Sequence, residues 1–135
     1  MNALDTNVLA RFFIDDPDDR ESARQRPAAV AALSERSFVP VTVLLEFEWV
    51  MRGFYAMSRK DVSRVFRALM GIEHVVVDNR AALLQALELF DGGLDFADAL
   101  HLAFSERATK LVTFDRALAK RVGRLDVAQR VVLLR

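Results

Sequence analysis

Short apolar runs alternate along this chain with longer stretches of helical period, and that alternation limits the fold more than any other feature of the sequence. The runs are Ala3-Leu4, Ser37-Phe38-Val39, His74-Val75-Val76-Val77, Leu111-Val112-Thr113-Phe114 and residues 131–134. β-Branched and aromatic residues gathered in this way favour strands. Between the runs, apolar residues recur every three or four positions over residues 8–14, 18–33, 41–55, 58–70, 79–90, 95–108 and 116–122, which predicts helices. Strands alternating with helices predict an α/β fold: a parallel sheet of about five strands in a three-layer α/β/α sandwich. With no internal repeat, low-complexity stretch or linker rich in Gly, Ser or Pro, residues 1–135 are expected to form one domain.

The pattern also predicts details. Pro27 should break or restart the second helix, because it lacks an amide N–H. Val43, Phe47, Val50 and Phe54 should form the buried face of residues 41–55, with Trp49 in the core. Ser58 should cap the next helix, whose buried stripe is Val62, Val65, Phe66 and Leu69, with Gly71 at its end. Gly92-Gly93 should close the helix over 79–90.

Composition removes several function classes. A chain of 135 residues buries a core without staples, and the absence of Cys excludes disulfides, a thiolate zinc site and a Cys nucleophile. Nineteen basic residues balance nineteen acidic ones, so no global positive field draws the chain to nucleic acid. Only Lys60, Lys110 and Lys120 are lysines. The arginines could fork onto phosphate oxygens, or reflect codon usage in a GC-rich genome. No apolar run approaches the ~20 residues that span a bilayer. Asp5 interrupts the early apolar stretch, so no signal peptide is expected and the expected location is cytoplasmic. The hydrophobic share of 53% leaves apolar surface for a partner.

Asp5 follows the first strand and Asp115 the fourth, each where a helix begins. Ligands of open parallel sheets bind beyond the carboxyl ends of the strands, although Asp is also a common helix cap. Glu46 shares a face with Val43 and Val50 and should be buried with a partner; Glu48, about 200° further round the helix, should be a surface charge. Asp95 and Asp98 lie three apart on one side of a helix start, Asp95 as the natural cap and Asp98 as the better site candidate. Were Asp5, Glu46, Asp98 and Asp115 to converge, two like charges ~4 Å apart would cost about 4 kcal/mol at an effective dielectric of 20. Such a set calls for a cation or a shared proton. All-oxygen donors select Mg²⁺ or Mn²⁺ over zinc. His74 and His101 are too few and too scattered for a zinc site, with His101 at most near the acids.

The ordered set Leu4-Asp5-Thr6-Asn7-Val8-Leu9 with Arg11, Leu44-Leu45-Glu46-Phe47-Glu48-Trp49-Val50-Met51, Asp95-Phe96-Ala97-Asp98-Ala99-Leu100 and Thr113-Phe114-Asp115-Arg116 resembles the PIN-domain ribonucleases. Within them it resembles the VapC toxins of toxin–antitoxin pairs, and the resemblance runs the length of the chain. It implies a strand order of 3-2-1-4-5, which sets Asp5 and Asp115 facing one another. It implies a metal-dependent endoribonuclease using Mg²⁺, for which Mn²⁺ can substitute, with the acidic quartet Asp5, Glu46, Asp98 and Asp115 as catalytic metal ligands. Asp95 matches an acid carried by many relatives. Thr6 and Thr113 match hydroxyls that border the site, and Arg11, Arg52 and Arg116 are candidates for phosphate contacts. No further acid follows Asp115, where Arg116 and Ala117 stand. The implied partners are tRNA or ribosomal RNA as substrate, a VapB-type antitoxin and a second copy of the chain.

Two alternatives remain. A haloacid-dehalogenase-like phosphohydrolase also begins with an acid after strand one, but its Asp-x-Asp is absent because Asn7 holds the second position. A catalytically silent module of the same fold is the other, and retention of all four acids counts against it. No Gly-x-x-x-x-Gly-Lys-Ser/Thr run supports a P-loop.

Overall fold

β1 (Asn2–Ala3), β2 (Ser37–Val39) and β3 (Val75–Val77) pair in parallel in the order 1-2-3, with Ser37 opposite both Asn2 and Val75. The computed structural model describes residues 1–125, 127 and 130–135. These strands belong to a first unit, residues 1–80, with α1 (Thr6–Phe13), α2 (Arg20–Leu33), α3 (Val41–Trp49), a π-helical turn (Val50–Phe54) and α4 (Arg59–Met70). A second unit, residues 81–135, contains the body of α5 (Arg80–Asp91), α6 (Phe96–Ala103), β4 (Lys110–Thr113), α7 (Arg116–Val122) and β5 (Arg130–Leu133). β4 and β5 are parallel, with Leu111 opposite Val131. The expected strand order is therefore seen in two parts, 3-2-1 and 4-5.

Each unit has its own core. In the first, Phe47 is fully buried, with its ring 5.9 Å from Phe66 of α4 edge to face and 6.2 Å from Phe13 of α1. In the second, Phe90 and Phe96 meet edge to face at 5.6 Å. Ser58 caps α4 by accepting from the Asp61 amide, and Val62, Phe66 and Leu69 are buried as their spacing predicts. Among the described residues, no helix is long and apolar enough to cross a membrane.

The differences from the sequence expectations have local causes. α2 runs unbroken through Pro27; both Pro27 and Ala23, whose carbonyl loses its amide partner, are exposed residues, where water can replace the missing N–H. Asn79 adopts a left-handed φ of 52°, which delays the start of α5 to Arg80. α6 stops at Ala103 rather than near residue 108, because residues 106–109 are polar or small and exposed and offer no apolar face to bury.

The largest difference is in α3. Its buried face is Leu44, Phe47, Glu48 and Met51, not Val43, Phe47, Val50 and Phe54. Both sets obey helical spacing, and a segment apolar nearly all round does not tell them apart. After Trp49 the backbone widens, with the Tyr55 amide donating to the Val50 carbonyl at 3.1 Å. The wider turn leaves Phe54 73% exposed, and Trp49 is 69% exposed rather than in the core. Ala56 follows at a φ of 52°, a left-handed conformation uncommon for a residue with a Cβ.

The two aromatic residues of α3 should therefore differ in their effect on stability. Phe47→Ala is expected to lower the urea unfolding free energy by about 3–5 kcal/mol, and Trp49→Ala to change it by less than about 0.5 kcal/mol. Unfolding followed by far-UV circular dichroism measures both.

Candidate functional site

Helix starts place the acids. Asp5 is the N-cap of α1, where its Oδ1 accepts from the Thr6 amide at 2.8 Å. Asp115 is the N-cap of α7: its Oδ1 accepts from the Leu118 amide at 3.0 Å, and its own amide donates to Thr113 Oγ1 at 3.0 Å. Each bond satisfies one of the amide groups that a helix start leaves without an intrahelical partner. Because each bond uses one carboxylate oxygen, the second stays available to a ligand. Asp95 is the N-cap of α6 but makes no side-chain cap bond, so its carboxylate is not committed to the helix.

Asp5 and Glu46 belong to the first unit; Asp95, Asp98 and Asp115 belong to the second. In the second unit, Asp98 stands half-buried in the first turn of α6. Burial raises its pKa above the ordinary value, and the charges of Asp95 and then Asp115 raise it further, against the opposing charges of His101 and Arg121. The structure thus brings Asp98 within electrostatic reach of both other acids. These donors are carboxylate oxygens, which suit a hard divalent cation in kind, and a cation would relieve the repulsion among them. Among the described residues, no three His, Asp or Glu side chains gather closely enough to hold a metal ion.

In the first unit, the expected burial of Glu46 is overturned. Glu46 is exposed, and Glu48 is the buried acid of α3. Glu48 is matched by the half-exposed Arg52 one turn on, whose Nη1 lies 3.5 Å from the carboxylate. The cause is the rotated buried face of α3, which turns position 48 inward and position 46 outward. Thr6 is 3% exposed, and its Oγ1 has no hydrogen-bond partner among the described residues. The Nε of Arg11 donates to Gln25 Oε1 at 2.8 Å and, with Asn7, Val8, Ala28 and Ala32, Arg11 lines a groove of about 280 Å³ between α1 and α2. Arg11 and Arg52 are thus engaged with neighbours on their own unit, and Arg116 is exposed beside Asp115.

Sequence reasoning passed over Arg121. Its Nη1 donates to the Gly93 carbonyl at 3.2 Å, and its charge acts on Asp98. The signal that could have found it was a basic residue in the last turn of the helix that Asp115 starts.

A family model described as PIN domain matches residues 3–125, across both units. The VapC ribonuclease of Aquifex aeolicus (strain VF5) is 26% identical to this chain over 90 residues, which cover 67% of this chain and 67% of that protein.

Two measurements follow from this geometry. The folded chain holds the Asp98 proton more tightly than the unfolded chain does, so ionised Asp98 opposes folding at neutral pH. Asp98→Asn is therefore expected to raise Tm near neutral pH, with the gain shrinking as the pH falls to about 3; a Tm series against pH reads it. Thr6→Val removes a buried hydroxyl with no partner and is expected to raise the unfolding free energy by about 1 kcal/mol, measured by urea titration.

Proposed function

The chain belongs to the PIN-domain family, a three-layer α/β/α fold, and from that premise we infer that it is a metal-dependent endoribonuclease of VapC type, the toxin of a toxin–antitoxin pair. The observation that carries the reading is Asp98: in a chain matched by the PIN-domain model over residues 3–125, it stands half-buried against the charges of two other acids. The name of the Aquifex relative supports RNA as the substrate. The same reading makes residues 1–135 a single PIN domain.

In this reading Asp5 and Asp98 are the direct ligands of Mg²⁺, for which Mn²⁺ can substitute, and Glu46 and Asp115 bind it or orient the attacking water. Asp95 is a second-rank candidate. A bound divalent cation would lower the pKa of a water and neutralise charge growing on the phosphoryl oxygens. The chain's own groups prepare for this. The Thr6 and Leu118 amides fix the carboxylates of Asp5 and Asp115, each through one oxygen. Thr113 ties the turn into Asp115. Glu46 is exposed and open to a ligand, while the Thr6 hydroxyl is buried beneath the Asp5 cap. Arg116, exposed beside Asp115, is in this reading a candidate for a phosphate contact.

The expected partners are a VapB-type antitoxin, which would silence the nuclease, and a second copy of the chain in a homodimer. The substrate is tRNA or ribosomal RNA, and the place of action the cytoplasm.

Asp5→Asn and Asp98→Asn are each expected to abolish RNA cleavage and growth inhibition while the protein stays folded. Sequencing of RNA 5′ ends after brief expression of wild type and Asp5→Asn checks this; cleavage by either variant at the wild-type rate would overturn the assignment of the site, and no cleavage by wild type would overturn the nuclease reading. Millimolar Mg²⁺ is expected to raise the Tm of wild type by more than that of Asp98→Asn.

A further inference from the structure

Arg121 lies in the last turn of α7 and reaches the turn between α5 and α6. Its Nη1 donates to the carbonyl of Gly93, a residue at a φ of 106°. A Cβ built at Gly93 would meet no atom within 4 Å, so the turn is open on the side of its α-carbon where a side chain would stand. Two residues on is Asp95, whose carboxylate is not committed to capping α6. The Arg121 charge reaches Asp98, as the smallest of the influences on that carboxyl. A fixed cation therefore stands on an open turn beside two acids.

An RNA phosphate approaching Asp95, Asp98 and Asp115 meets like charge. A positive group already in place at that edge offsets the repulsion at the point of entry. Arginine suits this position because it stays charged, and its planar fork presents five donors, of which the Gly93 carbonyl takes one. The anchoring bond fixes the group in advance, so less conformational freedom is lost on binding. Arg11 and Arg52, which the sequence suggested for this role, are held by Gln25 and Glu48.

We propose that Arg121 is a substrate-binding residue of the nuclease site, its guanidinium anchored on the Gly93 carbonyl and forking onto a backbone phosphate of RNA beside Asp98. The proposal deepens the nuclease reading and rests on it.

The test uses full-length protein on an Asp5→Asn background, which is expected to bind RNA without cutting it. Affinity for a fluorescein-labelled single-stranded RNA is measured by anisotropy over a range of salt concentrations in Mg²⁺. One phosphate contact on a single strand contributes about 0.7 to the slope of log affinity against log salt. Arg121→Gln is expected to weaken binding roughly tenfold at low salt and to reduce the slope by about 0.7. Arg121→Lys is expected to keep the slope, because the charge remains, while in protein that retains Asp5 its cleavage shows a raised KM from the lost fork. An unchanged slope in Arg121→Gln overturns the proposal, and a lowered Tm with that unchanged slope assigns Arg121 to bracing the Gly93 turn. Cleavage by the Asp5→Asn protein at the wild-type rate would instead refute the place of Asp5 in the site, and an absence of RNA binding and cleavage by wild type would overturn both readings.

Discussion

A helix that begins straight after a strand or a tight turn must find acceptors for its first amide groups, and this requirement organises the chain. Asp5 meets it for α1 and Asp115 for α7, each through a single carboxylate oxygen. The same need makes Asp an ordinary cap and puts a half-committed carboxylate at a strand end. Capping and ligand binding are therefore not competing explanations of these two residues. The helix amides hold the charge in place, and the unspent oxygen is what a ligand would meet. α6 departs from the rule, since Asp95 heads it without a side-chain cap bond, and there burial first, and then the like charge of Asp95, raise the pKa of Asp98.

Much of the fold was legible because strand and helix periods differ. β2 is found where the sequence places it, and β3, β4 and α4 within a residue, since short β-branched runs and a Ser cap leave few alternatives. Legibility failed where the pattern was degenerate. α3 is apolar nearly all round, so two different stripes satisfy helical spacing, and packing against α1 and α4 through Phe13 and Phe66 selects the one containing Phe47 and Glu48. That selection reverses the expected roles of Glu46 and Glu48 and turns Trp49 outward. Pro27 was misread because the effect of a proline depends on whether the freed carbonyl faces water, which spacing does not encode.

The candidate site was legible at the level of residue type. The acids at helix starts stood out because an anion there is both stabilised and exposed to a ligand. The charge coupling of Asp98 to Asp115 joins the starts of two helices far apart in sequence, and Arg121 meets Gly93 across a gap of 28 residues. Neither has a local signature. Of the arginines suggested by proximity in sequence, Arg11 and Arg52 are tied up on their own unit while Arg116 is exposed beside Asp115, so counting basic residues near an acid does not tell which of them is available.

The outward turn of α3 has an optical consequence. Trp49 is the chain's one tryptophan, and it stands 69% exposed with its indole over Gly53. Its emission therefore starts from a water-like environment, and the loss of the buried core should barely move it. The intrinsic fluorescence of this protein is a poor gauge of its folding but a built-in reporter of the outer surface of α3, where anything that comes to cover the indole would announce itself as a blue shift.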